Sequence, residues 1–329
     1  MRILLIKTSS LGDVIHTLPA VTDAMRAIPG IRFDWVVEEA LQEIPRWHPA
    51  VERVIPVALR RWRKHLLQAV QSGEWKSFKN NLKMQTYEQV LDSQGLIKSA
   101  WLASQAKGSR AGYDKRSARE PLASWFYQRT YFVDQNKHAI TRQRELFAQA
   151  LGYSKPDSAP DSGLNLSWVP DIVNPYIVLL HGTTWSSKEW PEQNWAELAK
   201  LANKDGYEVK VAWGNQVEKE RADRIANASG AVVLGKLSLS EMALVLIKAS
   251  RVIGVDSGLA HMAAALGVNS VTLYGATDSR KTGAIGIRQQ NLVGHAECAP
   301  CLKRQCAQGK QLCWDRLRPK MVWEKCNGK

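Results

Sequence analysis

The sequence predicts an α/β protein built from two Rossmann-like domains whose ligand edges face one another across a cleft. Short apolar, β-branched runs alternate with helix-patterned segments along most of the chain, polar residues gather where the strands end, and the alternation is broken once. The break is Ser154 to Pro170, a stretch without period that is rich in Pro, Ser, Asp and Gly and reads as a linker. It separates an N-terminal domain, 1–165, from a C-terminal domain, 166–315, and leaves 316–329 as a tail that could pack back on the N-terminal domain. A chain of 329 residues is long enough for two domains of ordinary size.

The first unit opens with a buried-type strand, Ile3 to Ile6, and the loop Lys7-Thr8-Ser9-Ser10-Leu11-Gly12-Asp13. A helix follows from Val14 to about Ala27, with Val14, Leu18, Val21 and Met25 on one face. The loop has no G-x-G-x-x-G, which argues against a dinucleotide site at this end. Asp13 stands where open-sheet proteins place their ligands, and both a helix cap and a catalytic base fit that position. The helix dipole would lower its pKa and weaken it as a base unless an apolar wall or bound substrate compensates.

Arg32 to Val37 is the next strand, a helix follows Glu39, and Val54 to Val57 is a third strand. The segment after it carries Arg60, Arg61, Arg63, Lys64, Lys76, Lys79 and Lys83 against one acid, Glu74. A solvated helix face is the ordinary reading of such a run; the near-absence of acids favours a docking surface. Tyr87 to Leu91 is a strand that empties into Asp92-Ser93-Gln94-Gly95, and the helix Leu96 to Ala106 carries Lys98. Ala118-Arg119-Glu120-Pro121 opens another helix, and His138 precedes one that runs to about Leu151. The strand-end residues of this half are mostly cationic, so its ligand should be anionic.

The second unit starts with the strand Tyr176 to Leu180 and His181-Gly182-Thr183-Thr184, after which Trp190-Pro191 begins a helix. Thr183, Thr184 and Lys188 form a credible phosphate cradle, although Lys188 alone would pass for a surface lysine. Val209 to Ala212 ends in Trp213-Gly214, and Glu218 on the next helix suits ribose hydroxyls as well as a plain helix-start acid. Ser238 and Glu241 make a capping box for the helix Leu239 to Ala249. Arg251 to Thr277 then reads as strand (Val252 to Val255), loop (Asp256-Ser257-Gly258), helix (Leu259 to Leu266), C′ glycine (Gly267) and strand (Ser270 to Tyr274). Its loop could hold a phosphate on the helix N-terminus, or Asp256 and Ser257 could merely cap the helix.

A net charge of +14, from 45 basic against 31 acidic residues, implies an anionic partner. Nucleic acid is disfavoured: helix-turn-helix, zinc-finger and RNP patterns are missing, and only Trp62 and Trp75 interrupt the basic segment. No apolar run approaches the ~18 residues that span a bilayer, and MRILLIKTSS is too short in apolar core for a signal peptide, so a cytoplasmic location is expected. Cys298, Cys301, Cys306 and Cys313, spaced C-x2-C-x4-C-x6-C, fit a loop of partly buried thiols somewhat better than a zinc or iron–sulfur site; Cys326 lies beyond them.

Five stretches, KTSSLGDVIHTLPA, DSQGLIKSA, AREPLAS, HGTTWSSKEWPEQNW and VDSGLAHMAAALG, together resemble the ADP-heptose:lipopolysaccharide heptosyltransferases, type I most closely. The resemblance implies a GT-B glycosyltransferase fold and an inverting reaction without metal or other cofactor. ADP-L-glycero-β-D-manno-heptose would be the donor and the Kdo of Kdo2-lipid A the acceptor. Matched position by position, Asp13 would be the general base. Thr183, Thr184 and Lys188 would contact the diphosphate, Glu218 the ribose and Leu237 the adenine. Asp256, Ser257, Gly258, Leu259 and His261 would hold the heptose and phosphates. Arg60, Arg61, Arg63 and Lys64 would meet the acceptor's carboxylates and phosphates, supported by Lys98, Arg119 and His138, with Lys7 and Ser10 lining the catalytic loop. The charge would serve a peripheral position on the cytoplasmic face of the inner membrane. Two departures stand out. Ala276 replaces a proline the family usually has, which predicts a looser loop. The end ECAPCLKRQCAQGKQLCW is more like tails of enzymes adding later heptoses, which keeps addition of the second core heptose as the alternative.

Overall fold

The structure, a computed structural model, describes residues 1–65, 69, 71–164 and 175–327. It divides into two compact units, Met1–Asn165 and Leu166–Lys329, each holding a six-stranded parallel sheet. Residues 165–170, the end of the expected linker, lie outside the described residues.

In the first unit β1 (Arg2–Ile6), β2 (Arg32–Glu38), β3 (Val51–Val57), β4 (Thr86–Asp92), β5 (Lys107–Tyr113) and β6 (Arg129–Tyr131) are arranged β3-β2-β1-β4-β5-β6. Ile3, Leu4, Leu5 and Ile6 are all fully buried, because a parallel sheet is covered on both faces and its central strand must be apolar throughout. The chain winds outward from β1 through β2 to β3, then returns to the other side of β1 for β4. Ile6 consequently pairs with Val36 on one flank and with Asp92 on the other. Loops leaving β1 and β4 diverge at this point, opening a crevice at the strand ends.

The first helix is Leu11–Ala27, three residues longer at its start than its apolar periodicity predicts. Ser10 is the N-cap, and Asp13 is the third helical residue, closing a capping box rather than capping the helix itself. This helix is tied to the helix Ala139–Leu151 by a buried ion pair between Asp23 and Arg144, whose guanidinium also donates to the carbonyls of Pro156 and Ser158.

The second unit has β7 (Tyr176–Leu180), β8 (Glu208–Val211), β9 (Val232–Val233), β10 (Arg251–Val255), β11 (Ser270–Tyr274) and β12 (Gln289–Val293), ordered β12-β11-β10-β7-β8-β9. Its switch point lies between β7 and β10. Gly267 has φ 71°, the left-handed conformation a helix C′ glycine supplies.

Residues 316–329 were expected as a tail that could return to the N-terminal domain; the apolar residues described there pack into the core of the second unit. Leu317, Val322, Trp323 and Cys326 are buried there with Trp195, Leu198 and Ala202. Trp190 Nε1 donates to the Leu317 carbonyl (3.0 Å) and Arg251 Nε to that of Cys326 (2.7 Å). Burying two tryptophans, Trp314 and Trp323, against this sheet outweighs a polar tail's freedom. The loop at Ala276 is not loose either: Ala276 is buried and its carbonyl accepts from the Leu302 N–H (2.8 Å). Cys298, Cys301, Cys306, Cys313 and Cys326 are free thiols. Among the described residues no three His, Cys, Asp or Glu side chains are grouped to hold a metal ion, and no helix is long and apolar enough to cross a membrane.

Asp23→Ala would strand a buried guanidinium. We expect it to cost about 3 kcal/mol, the low end for breaking a buried pair because two carbonyls still solvate Arg144; the shift in the urea midpoint of the full chain measures it.

Candidate active site

In the first unit the catalytic candidates converge at the switch point. Asp13 Oδ2 accepts from the Ser10 N–H (2.8 Å) and from the Ser10 hydroxyl (2.9 Å). Lys7, buried at the end of β1, donates from Nζ to the Ser93 carbonyl (3.1 Å) at the end of β4. Burial works against charge on Asp13, but the Lys7 ammonium, the Ser10 hydrogen bonds and His16 outweigh it and hold the carboxyl below the usual carboxylate range. Burial also pushes Lys7 down, in spite of Asp13 and Asp92. The result is a carboxylate ionised at neutral pH, one turn before His16, whose ring lies 5.8 Å from that of His138. His138 also caps its helix, accepting the Ile140 N–H at Nδ1 (3.2 Å).

Two residues not singled out from sequence hold this loop in place. Gln94 Oε1 accepts from the N–H groups of Thr8 (3.0 Å) and Ser9 (3.3 Å), while its Nε2 donates to the Ser9 carbonyl (2.7 Å). The buried Asp92 accepts from the Gln94 N–H (2.8 Å) and, at its other oxygen, from the Tyr127 hydroxyl (2.7 Å). Their position in a polar strand-end loop was the available signal; the pairing across loops was not visible.

The cations surround this loop unevenly. Lys98 is exposed in the first turn of the helix Ile97–Ser104 and Arg119 on the loop before the 3₁₀ helix Pro121–Phe126, and Glu120 joins the two segments: its N–H donates to the Gly95 carbonyl (3.0 Å) and its carboxylate accepts the Ile97 N–H (2.7 Å). Arg60, Arg63 and Lys64 are exposed on the short helix Leu59–Lys64. Arg61 differs. Its guanidinium binds Glu39 (3.0 Å) and Glu74 (2.9 Å), and Glu74 also accepts from Trp62 Nε1 (2.7 Å). The basic segment therefore meets more acids than its own sequence contains, because β2 delivers Glu38 and Glu39 to it, with Glu38 accepting the Arg60 N–H (3.0 Å).

In the second unit Asp256, at the end of β10, is the hub. Its Oδ2 pairs with Lys188 Nζ (2.7 Å) and accepts from the Thr277 hydroxyl (2.7 Å), and its Oδ1 lies 3.3 Å from His261 Nε2. Burial would raise the Asp256 carboxyl, but His261 and Lys188 drive it far below the ordinary 3.8. Thr183 donates to the Asp256 carbonyl (3.2 Å), joining the β7 and β10 loops. Ser257 caps the helix Gly258–Ala265, accepting the Ala260 N–H (3.4 Å), with Gly258 and Leu259 in the first turn. The capping reading of Ser257 holds, while Asp256 pairs with Lys188 rather than capping the helix. Thr184 is exposed beside Thr183, and Lys188 lies 4.6 Å from the Trp185 ring centroid. Glu218 Oε2 accepts the Gly214 N–H (2.7 Å), and its carboxylate lies over Gly182, where a Cβ would come within 2.6 Å of it. Leu237 is half-buried in the loop before the helix Leu239–Ile247. His181, fully buried at the end of β7, is kept neutral by burial, pushed down to about 4.

The chain is similar to known proteins over nearly its whole length. Residues 75–312 match Glycosyltransferase family 9 (heptosyltransferase). Lipopolysaccharide heptosyltransferase 1 of Pseudomonas aeruginosa is 52% identical over 98% of this chain and 96% of its own. The structure of E. coli heptosyltransferase WaaC with ADP superposes with a TM-score of 0.89 at 44% identity, covering 100% of this chain and 99% of that one. WaaC with ADP-2-deoxy-2-fluoro heptose gives 0.84 at 45% identity, covering 96% and 98%.

Because the Asp256 carboxyl is depressed on folding, it contributes stability above its ordinary 3.8 that disappears as pH falls further. Urea denaturation from pH 6 to pH 2.5 should show Asp256→Asn weaker than the wild type near neutrality. The gap should close progressively below pH 3.8.

Proposed function

Since the chain belongs to glycosyltransferase family 9, the heptosyltransferases, we propose that it moves L-glycero-D-manno-heptose from ADP-heptose to the Kdo of Kdo2-lipid A in lipopolysaccharide inner-core synthesis. The observation that carries this reading is full-length identity of about half to a type 1 enzyme, joined to a GT-B fold with a site at each switch point. Addition of the second core heptose is the less favoured alternative.

In this reading the diphosphate lies over the β7 loop, against Thr183, Thr184 and Lys188 and the N-terminus of Gly258–Ala265, where positive charge meets the negative charge that grows on the leaving ADP. Those groups supply the charge neutralisation that a metal supplies elsewhere, so no metal cofactor is required. Glu218 takes the ribose hydroxyls, Leu237 the adenine face, and Asp256, Ser257 and His261 the heptose. Asp256 also fixes the Lys188 ammonium beside the loop before substrate arrives.

The acceptor hydroxyl attacks the anomeric carbon opposite the departing ADP, and its proton passes to Asp13. A carboxylate held below its ordinary pKa is a weak base towards an alcohol. The transfer therefore comes late, once the new C–O bond has made the oxygen strongly acidic. Arg60, Arg63, Lys64, Lys98 and Arg119 meet the acceptor's carboxylates and phosphates. Arg61 and Lys7 act one step back, the first by anchoring the basic helix and the second by keeping Asp13 ionised. The excess of basic charge supports reversible attachment to the anionic cytoplasmic face of the inner membrane.

ADP release with Kdo2-lipid A as acceptor tests this. Asp13→Ala should lower kcat by about 10²–10⁴; near-normal turnover would remove Asp13 as base. Activity only on an acceptor already carrying one heptose would establish the alternative. Gly182→Ala, which must displace the Glu218 carboxylate, should weaken ADP binding about tenfold, read by calorimetry.

A further inference from the structure

Four large apolar side chains on the first unit lie open to solvent although the elements bearing them are tightly packed. Ile97 and Trp101 are 40% and 41% exposed on the helix Ile97–Ser104, while Leu122 and Trp125 are 48% and 80% exposed on the 3₁₀ helix Pro121–Phe126. Their spacing puts each pair on one face. Residues i and i+4 stack along an α-helix, and residues i and i+3 eclipse in a 3₁₀ helix. The two elements that bear the stripes are packed together through small buried residues, Ala100 and Ala123. Trp101 is extended by Trp75, stacked on it at 4.9 Å and 8°, from the helix Glu74–Lys83.

Cations border the patch. Lys98 is exposed on the helix Ile97–Ser104 and Arg119 just before the 3₁₀ helix, Lys76 and Lys83 are exposed on the adjoining helix, and Lys79 lies 5.7 Å from the Trp75 ring centroid. The acids on these segments are engaged: Glu120 accepts the Ile97 N–H, and Glu74, beside Trp75, is paired with Arg61 and accepts from Trp62 Nε1. A soluble surface has no reason to group two tryptophans, a leucine and an isoleucine within a lysine and arginine border. That composition fits the headgroup region of a bilayer, where indole rings settle at the boundary and cations meet anionic phosphates.

We infer that Ile97, Trp101, Leu122 and Trp125 form a membrane-docking patch that inserts into an anionic bilayer surface, with Lys76 and Lys83 on the headgroups and Lys98 and Arg119 left for the acceptor. The inference rests on the peripheral attachment proposed above and deepens it: general charge attraction holds the protein near the surface, and this patch fixes which face touches it. Lys98 and Arg119 thereby stand at the level of the acceptor's own phosphates and carboxylates.

Co-sedimentation with phosphatidylglycerol/phosphatidylethanolamine vesicles at about 0.15 M salt separates the claims. The variant is Leu122→Ser with Trp125→Ser, neither residue belonging to the donor or acceptor machinery. We expect its vesicle partition constant to fall about tenfold or more, while its kcat/KM on a de-acylated, soluble Kdo acceptor stays that of the wild type. A variant that partitions like the wild type overturns the patch and leaves charge-driven attachment standing. A wild type that does not sediment overturns both. Binding only to vesicles that contain Kdo2-lipid A overturns bulk-lipid docking in favour of a grip on the acceptor's acyl chains. Concentration-dependent dimerisation abolished by the variant, without vesicle binding, overturns the membrane reading and assigns the patch to a second copy of the chain.

Discussion

Both sites exist because a parallel sheet cannot wind in one direction only. Each right-handed crossover carries the chain to a neighbouring strand, and when it returns to the first strand's other flank, two adjacent loops must part. In the first unit that happens between β1 and β4, in the second between β7 and β10. Lys7, Ser10 and Asp13 leave one strand and Ser93 and Gln94 leave the next; Thr183 and Lys188 face Asp256 in the same manner. Side chains distant in sequence come within hydrogen-bond reach because strand register fixes where the loops begin.

The same arrangement decides which charges are at rest and which are available. Asp256 is saturated by Lys188, Thr277 and His261, and Asp92 by Tyr127 and two backbone amides; both are buried organisers. Asp13 is held at one oxygen by its N-cap serine and is only half-buried. Three carboxylates near strand ends thus serve different ends through hydrogen-bond count and solvent access.

Much of this was legible in the chain. Buried strands such as Ile3–Ile6 and Tyr176–Leu180 are continuous apolar runs, and the Ser238/Glu241 box marks its helix locally. β5, with the sequence KGSRAGY, the two-residue β9 and the polar β12 lack an apolar signature because strands at or near a sheet's edge need not bury both faces, so periodicity does not reveal them. Asp13 was legible as a residue at the start of the first helix but not as the third residue of a capping box, since periodicity begins only at Val14 while hydrogen bonding begins at Ser10. The tail misled because its buried tryptophans are separated by polar residues; only the three-dimensional core shows what they complete.

The Arg61 clamp alters how mutational data on the basic helix should be interpreted. Its guanidinium joins Glu39, at the end of β2, to Glu74 on the following helix, and Glu74 in turn holds the Trp62 indole. Removing Arg61 would loosen the outer side of this helix and the placement of Arg60, Arg63 and Lys64, while the buried Trp62 and the Arg60 N–H on Glu38 keep the helix itself seated. A scan that scores only lost turnover would rank it as a substrate contact equal to its neighbours, confusing the hinge pin with the door handle.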